Sequence, residues 1–347
     1  MQIYKSLFYS LFFIFCATQM ESKAQKISVQ NDVSKQKVFI KVDGKIFTEF
    51  CYPDSMEKPF LYPIIGSNGK AITRGFPLNP QPNDPIDHPH HIGLWMNYES
   101  VNGLDFWNNS YAIAADKKQN YGWIRTKRIV ETKSGNKGLL AYEADWHNQA
   151  KTVLMKESTQ YQFSAVGSQR IIDRITTLTA VEDVSFKDVK DGFLGLRVAH
   201  ELELPVLTTK KYTDANGIVT TVKGAKDSLV TGNYMTSKGI QGDAAWATRA
   251  DWCMLYGKQG ADTVSIVIID HPLNPGYPTY WHARNYGLFA ANPLGQNVFS
   301  NGKETLSLKL SKGQSVSFRY RVVIAAGKLR LTQSAIGSLM EAFQNAK

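Results

Sequence analysis

Little in this sequence suggests nucleic-acid binding or a membrane-spanning segment. The formal net charge is +10, but the sequence has no run of five or more basic residues, which a nucleic-acid-binding arm would need. After residue 17 it has no apolar run approaching the roughly 20 residues of a membrane helix. We therefore predict no nucleic-acid partner and no membrane insertion. The oligomeric state is left open.

Several familiar catalytic motifs are also missing. The sequence contains no Gly-x-Ser-x-Gly elbow, no phosphate-binding loop and no His-Glu-x-x-His motif. Only 3 of the 347 residues are cysteine, and they lack the close spacing of a cysteine metal site. These absences argue against elbow-type serine hydrolases, nucleotide hydrolases and helix-based zinc proteases, and no cofactor can be named.

The first 24 residues have the features of an export signal. Lys5 supplies a positive charge, residues 7–17 are mostly apolar, and residues 22–24 (Ser-Lys-Ala) offer small side chains at the cleavage spacing. We predict cleavage near Ala24 and a periplasmic or secreted protein. The sequence leaves open whether Cys51 and Cys253 then pair or stay as buried free thiols.

Beyond the signal, the chain has the patterning of β-strands almost throughout. Apolar residues alternate over residues 38–42, and Asp43-Gly44 indicates a tight hairpin before a return strand at residues 46–50. The other strands that we predict lie at 138–145, 159–166, 171–180, 193–204, 263–269, 305–310 and 315–325. The polar segment 208–242 reads as a long hairpin excursion.

Helical periodicity is clear only near the C-terminus. Ile336, Leu339, Met340 and Phe343 fall on one helical face, which predicts a helix over residues 333–345. The fold that we predict is all-β: one large antiparallel β-sandwich domain over residues 25–347, resembling a supersandwich, with a short C-terminal helix.

The densest cluster of chemically useful residues is at 87–91, which reads Asp-His-Pro-His-His and holds three of the seven histidines. His88 and His90 are two apart, the spacing that places two metal ligands on one face of a strand. Pro89 instead indicates an edge or a loop. A metal site at His88 and His90 is a minority hypothesis, and histidines that merely hold an irregular loop are another.

A second cluster occupies residues 280–287, Tyr-Trp-His-Ala-Arg-Asn-Tyr-Gly. Histidine, arginine, asparagine and aromatic side chains this close together can stack on a sugar ring and bind its oxygens. The alternative is that Trp281 and Tyr286 are core aromatics and Arg284 is a solvated cation.

The predicted strand 193–204 carries polar residues on both faces. His200 shares its parity with apolar neighbours, which predicts a core histidine. Arg197, Glu201 and Glu203 take the opposite parity and are predicted to form an exposed or groove-lining row.

Three segments together resemble the bacterial PmoA-like family, labelled "methane oxygenase PmoA": residues 87–91, 102–107 (Asn-Gly-Leu-Asp-Phe-Trp) and 280–293. The label implies a metal-dependent oxygenase. Ile92 departs from the family, which carries arginine there more often. A weaker, fold-level resemblance is to galactose-mutarotase-like supersandwiches, in which a strand end such as residues 63–66 precedes a histidine-bearing loop and a second, distant histidine.

We predict an exported carbohydrate-active protein that acts as an enzyme. His90 or His91 would pair with His282 as acid and base on a sugar or sugar derivative, because imidazole titrates near the working pH. Epimerisation, β-elimination and hydrolysis stay open. Alternatives are a non-catalytic glycan-binding protein and a metal-dependent oxygenase or hydrolase. The residues predicted to bind substrate are Asp87, Asp105, Trp107, Trp281, Arg284 and Asn285.

Overall fold

The structure is a computed structural model that describes residues 24–205, 209–213, 219–222 and 229–346. Except for Ala24, the predicted export signal lies outside the described residues and stays a prediction. Parts of the predicted excursion 208–242 also lie outside them, but the described parts include a two-stranded antiparallel hairpin. No helix within the described ranges is long and apolar enough to cross a membrane.

The described residues form twenty β-strands and two α-helices. In chain order the strands are β1 (Ile27–Asp32), β2 (Lys37–Val42), β3 (Lys45–Cys51), β4 (Phe60–Ile64), β5 (Leu94–Tyr98), β6 (Trp123–Lys133), β7 (Gly138–His147), β8 (Val153–Val166), β9 (Gln169–Ala180), β10 (Val184–Ser185), β11 (Gly192–Arg197), β12 (Lys210–Thr213), β13 (Val219–Val222), β14 (Asn233–Thr236), β15 (Trp252–Gln259), β16 (Asp262–Ile269), β17 (Tyr280–Ala283), β18 (Leu288–Asn292), β19 (Lys309–Leu310) and β20 (Ser315–Gly327). The helices are α1 (Gln296–Phe299) and α2 (Gln333–Gln344).

Two eight-stranded antiparallel sheets pack face to face. The first has the order β1-β2-β3-β4-β5-β11-β18-β17, and the second has the order β14-β15-β16-β20-β9-β8-β7-β6. Aromatic side chains join them: the rings of Phe47 and Phe163 meet edge to face at 6.2 Å, and those of Phe193 and Phe318 are 4.2 Å apart. The predicted all-β sandwich is therefore confirmed.

Helix α2 covers the outer face of the second sheet. Ile336 and Phe343 are buried there against strand residues, and Leu339 and Met340 pack beside them. The side chain of Thr332 caps the helix by accepting a hydrogen bond from the backbone N–H of Ala335 at 3.2 Å. The predicted amphipathic helix is confirmed.

Some predicted strands are shorter in the structure. The strand predicted at 193–204 ends at Arg197, because His200–Leu202 forms a 3-10 turn that breaks the two-residue alternation. Of the strand predicted at 305–310, only Lys309–Leu310 joins a ladder. Cys51 and Cys253 are both free and buried, which answers the question that the sequence left open.

The outer face of the first sheet is the face that positions the site. Along β17, Trp281 and Ala283 enter the core between the sheets, so His282 points outward. On β11, Leu196 is in the same core and Arg197 takes the outer side. A second set of apolar residues, which includes Trp95, Trp107 and Tyr286, packs on this outer face.

Candidate functional site

A cleft of about 670 Å³ lies on this outer face and brings together the two histidine-bearing clusters. It is lined by residues 86–91, by parts of 107–113, and by Lys190, Asp191, His282 and Arg284, among others. Its volume falls within the range of about 300 to 1,000 Å³ that is typical of small-molecule sites.

Most of the residues predicted for the site line this one cleft. They are Asp87, His88, His90, His91, Trp107, His282 and Arg284. The three remaining candidates lie elsewhere, so we do not carry them into the site: Asp105, Trp281 and Asn285.

Each of these three has a structural partner. Asp105 accepts hydrogen bonds from the backbone and side-chain nitrogens of Asn108, both at 2.9 Å, and so shapes the loop after β5. Trp281 is in the core because of its parity on β17, and its indole N–H donates to the carbonyl of Ala250 at 3.0 Å. Asn285 lies in a separate small pocket, where its side-chain amide donates to Asp243 Oδ2 at 3.3 Å.

Arg74 holds the histidine-bearing loop from beneath. This buried guanidinium donates to four backbone carbonyls of the loop: those of Pro85 (3.0 Å), Asp87 (2.7 Å), His88 (3.0 Å) and His91 (3.1 Å). Irregular backbone needs such partners because buried carbonyls without them are costly. A single side chain therefore replaces the sheet ladder that Pro89 interrupts.

Asp87 is tied to Arg197 by two hydrogen bonds, Nη1 to Oδ2 at 2.8 Å and Nη2 to Oδ1 at 2.9 Å. His88 also donates to Asp87 Oδ2, at 2.5 Å. Burial opposes ionisation of Asp87, but Arg197 and His88 outweigh it and hold the pKa of this carboxyl far below its usual range. Both oxygens of Asp87 are therefore engaged in holding the loop.

The structure corrects the prediction that Arg197 and Glu203 belong to an exposed or groove-lining row on the segment 193–204. Arg197 is 0% exposed and Glu203 is buried, because the loop and the residues around Tyr286 cover their face of the sheet. His200 is half-buried in the 3-10 turn and hydrogen-bonds Glu203 at 3.1 Å, so the predicted core histidine is wrong.

Flat rings stack along the cleft. The rings of His88 and His91 are parallel within 2° at 4.7 Å, and the ring of His88 is also parallel to that of Tyr286 at 4.8 Å. Trp107 meets His91 edge to face at 5.8 Å. Glycine at position 195 permits this packing, since a Cβ there would lie 2.6 Å from Trp95 and 2.8 Å from Trp107.

Burial sets the charge of the histidines. It lowers the pKa of His282 to about 3 and those of His90 and His91 well below the usual value, so all three rings are neutral near pH 7. The sequence argument that imidazole titrates near the working pH does not apply to these rings. His90 Nε2 is buried and has no hydrogen-bond partner among the described residues, which leaves this atom available to a ligand.

Asp191 and Lys190 are the site residues that the sequence analysis missed. Lys190 donates to Asp191 Oδ2 at 2.6 Å, and His282 Nδ1 lies 3.7 Å from Asp191 Oδ1. Burial opposes ionisation of Asp191, but the ammonium group of Lys190 outweighs it, so the pKa of this carboxyl is lowered. These two residues follow β10 in a polar stretch with no motif to draw attention to them.

Glu99 lies behind Asp191 and differs from it in charge. The backbone N–H of Asp191 donates to Glu99 Oε2 at 3.4 Å, and the backbone N–H of Glu99 donates to the Asp191 carbonyl at 2.9 Å. Burial, with the carboxylates of Asp191 and Asp105, raises the pKa of Glu99 to about 8. Two neighbouring carboxyls thus share a region in which one is ionised and the other protonated at neutral pH.

The described residues contain no group of three or more histidine, cysteine, aspartate or glutamate side chains arranged to hold a metal ion. The proposed pair, His88 and His90, has ring centroids 5.6 Å apart, and His88 Nδ1 is engaged by Asp87. Any metal here would need further ligands from outside this set. The cofactor stays unnamed.

A family model described as "Family of unknown function (DUF6807)" matches residues 37–340. No curated protein matches the chain. Neither finding tests the resemblance to PmoA-like proteins, which stays a prediction.

Several solved structures share a distant likeness. An α-galactosidase of family GH36, AgaB from Geobacillus stearothermophilus, is 10% identical, with 87% of this chain and 41% of that chain covered and a TM-score of 0.37. The galactosidase domain of AgaSK is 8% identical, with 87% and 42% covered and a TM-score of 0.37. A GalM/aldose epimerase homologue from C. elegans is 9% identical, with 88% and 99% covered and a TM-score of 0.32.

The chain therefore spans about two fifths of the length of those two galactosidase chains. TM-scores this low support no inference about the activity of this protein.

Proposed function

We propose that this chain, which belongs to the DUF6807 family of unknown function, binds a sugar or sugar derivative in the cleft and acts on it by proton transfer. The observation that carries the proposal is the meeting of an ionised carboxylate, neutral histidines and cationic side chains in one cleft of ligand size. Such convergent polar groups with shifted pKa values are typical of active sites. On the sequence features alone, we also propose that the protein is exported.

Asp191 is the best candidate for the base. Its lowered pKa keeps it ionised, and it faces the cleft beside His282. In the proposed step, Asp191 accepts a proton from a hydroxyl or an acidic C–H of the substrate, and the electron pair stays on the substrate. A neutral imidazole can stabilise the resulting oxyanion by donating an N–H, a role that suits His90.

Hydrolysis by two facing carboxylates fits this geometry less well than epimerisation or β-elimination. Asp87 and Asp105 are the two carboxylates among the residues that the sequence analysis predicts to bind substrate. Both oxygens of Asp87 are bound by Arg197, and neither Asp105 nor Glu99, the protonated neighbour of Asp191, lines the cleft. The usual hydrolytic mechanism needs one carboxyl group as acid and another as base or nucleophile. We therefore favour an epimerase or lyase type of reaction.

The test is an NMR screen of the purified protein in D₂O against neutral and acidic mono- and disaccharides. The expected result is deuterium incorporation, anomeric exchange or elimination for at least one sugar. Asp191→Asn should slow it at least about 100-fold, the usual size of a lost general base. Glu143→Gln, an exposed carboxylate on β7, is the matched control and should leave the rate unchanged. Full activity in Asp191→Asn would disprove the role of Asp191.

A non-catalytic sugar-binding protein is the second candidate, and the ring stack favours it. His88, His91 and Tyr286 lie parallel within 2°, an arrangement that also serves a purely structural role. Binding without exchange or turnover, unaffected by separate His90→Ala and His282→Ala substitutions in folded protein, would favour this candidate over the enzyme.

A further inference from the structure

The mouth of the cleft carries exposed apolar side chains. Ile86 is 75% exposed, Tyr111 is 63% exposed and Val298 is 39% exposed, and all three line the cleft. They come from three separate segments: the histidine-bearing loop, the loop that follows Trp107, and helix α1. Single exposed apolar side chains are ordinary, but three that line one cleft form a shared apolar surface, which is typical of a ligand-binding groove.

The cleft therefore changes in character from floor to rim. Its floor contains buried polar groups, among them His90, Asp191 and His282. The lining also includes Ala112, which is exposed, and Ile113, which is apolar and buried. A ligand that fills the cleft would meet polar groups at one end and apolar groups at the other.

We propose that the ligand of this cleft is amphiphilic: a sugar head bound at the floor and an apolar alkyl or aryl aglycone packed on Ile86, Tyr111 and Val298. The proposal rests on the proposed function, since it takes the floor to be a sugar site. It adds the chemical class of the group attached to that sugar.

The rim fits an apolar group better than a second sugar ring. A sugar ring needs hydrogen-bond partners for its hydroxyls, and the aliphatic side chains of Ile86 and Val298 have none to give. Burying them against a hydrocarbon removes apolar surface from water on both sides, which is favourable in proportion to the area buried. The cleft volume of about 670 Å³ also exceeds the needs of one pyranose ring.

The experiment compares glycosides that share a sugar and differ only in aglycone. Binding of methyl and octyl β-D-glucoside and of methyl and octyl β-D-galactoside is measured by titration calorimetry, below the micellar concentration, with octan-1-ol as the sugar-free probe. We expect the octyl glycoside to bind at least tenfold more tightly than the methyl glycoside of the same sugar, a difference of about 1.4 kcal/mol.

Variants at the rim then show where the octyl chain gains its affinity. Ile86→Ser and Val298→Ser, alone and combined, should reduce the octyl-to-methyl affinity ratio toward one and leave methyl glycoside binding unchanged. The matched controls are Leu273→Ser and Leu329→Ser, which replace exposed apolar side chains outside the cleft, at 66% and 86% exposure. Both controls should keep the ratio of the unmodified protein.

Each of the other outcomes overturns a specific part of the proposal. Equal affinity for methyl and octyl glycosides overturns the aglycone site and leaves the sugar site standing. An octyl preference that survives in the double rim variant also overturns it, because the chain then binds elsewhere. In another outcome, the protein self-associates through the rim and does not prefer octyl glycosides. If the double variant abolishes that self-association, the rim binds a second copy of the chain and the aglycone site is overturned.

Two further outcomes separate this proposal from the proposed function. In the first, octan-1-ol binds, the rim variants abolish this binding, and neither sugar adds to the affinity. The rim is then an apolar site, but the cleft has no sugar site, so the amphiphilic ligand and the proposed function are both overturned. Absence of binding by all five probes overturns the aglycone site, while the saccharide screen decides the proposed function independently.

Discussion

Asp87 and Arg197 form a buried, two-point ion pair although they are 110 residues apart in sequence. The pair joins the histidine-bearing loop to strand β11 in the middle of the first sheet. Arg74 approaches the same loop from another side and is itself 3.4 Å from Asp87 Oδ1. Two cations on one carboxylate thus fix the shape of the loop before any ligand binds.

Arg74→Met is expected to destabilise the protein strongly. It leaves four backbone carbonyls, three of them buried, without their donor, and breaking a buried ion-pair network costs about 3 to 5 kcal/mol. Equilibrium urea unfolding measures the free energy. The control is Arg128→Met, which removes an exposed pair with Glu143 and should change the free energy of unfolding little. Similar losses in both variants would contradict the role given to Arg74.

Gly195→Ala tests the packing beneath the ring stack. The added methyl group would lie within 3 Å of Trp95 and Trp107, so we expect a loss of about 1 to 3 kcal/mol from overpacking. The control is Gly337→Ala in helix α2, where nothing lies within 4 Å of the added Cβ. That substitution should stabilise the protein by up to about 1 kcal/mol. Thermal unfolding shows whether each substitution lowers or raises the stability.

The raised pKa of Glu99 makes stability depend on pH. The folded protein holds a proton on Glu99 up to pH about 8, whereas the unfolded chain releases it near the usual glutamate value of 4.5. Between these values the folded state binds more protons, so the contribution of Glu99 to stability falls as pH rises. Glu99→Gln should therefore gain stability relative to the unmodified protein between pH 5 and pH 8, by about 1 to 3 kcal/mol.

The contribution of His282 to stability depends on pH in the opposite direction, and in a more acidic range. Its folded pKa of about 3 lies below the usual histidine value of 6.5, so the unfolded chain binds more protons between these values and stability rises with pH there. Urea unfolding of the unmodified protein and of Glu99→Gln at several pH values separates the two contributions. A constant difference between the two proteins from pH 5 to pH 8 would contradict the assignment to Glu99.

The thiols of Cys51 and Cys253 should be unreactive in the folded protein. Burial raises the pKa of Cys51 to about 12 and raises that of Cys253 as well, and only the thiolate is nucleophilic. With Ellman's reagent at pH 8, both should react fully in guanidinium chloride and hardly at all in buffer. Rapid reaction of either thiol in native protein would show that it is accessible.

The sequence predicted the sandwich because alternation with a period of two is a local property. It predicted both histidine clusters because their residue types are unusual. The sequence analysis assigned Trp281 to the cleft because β17 was not recognised as a strand. Adjacent residues of a strand point to opposite faces of the sheet, so Trp281 and His282 cannot both face the cleft. Asp191 and Arg74 carry no local signal, since their roles arise from contacts between distant segments.

The alternation on β11 and β17 has a consequence for how this family can diversify. Leu196 and Trp281 face the core, while their neighbours Arg197 and His282 face the cleft side of the same sheet. A substitution at His282, which lines the cleft, can change the ligand contacts without repacking the interior, whereas Arg197 is fixed by its ion pair with Asp87. The first sheet thus serves two purposes, since one face packs the core and the other carries the loop and the cleft.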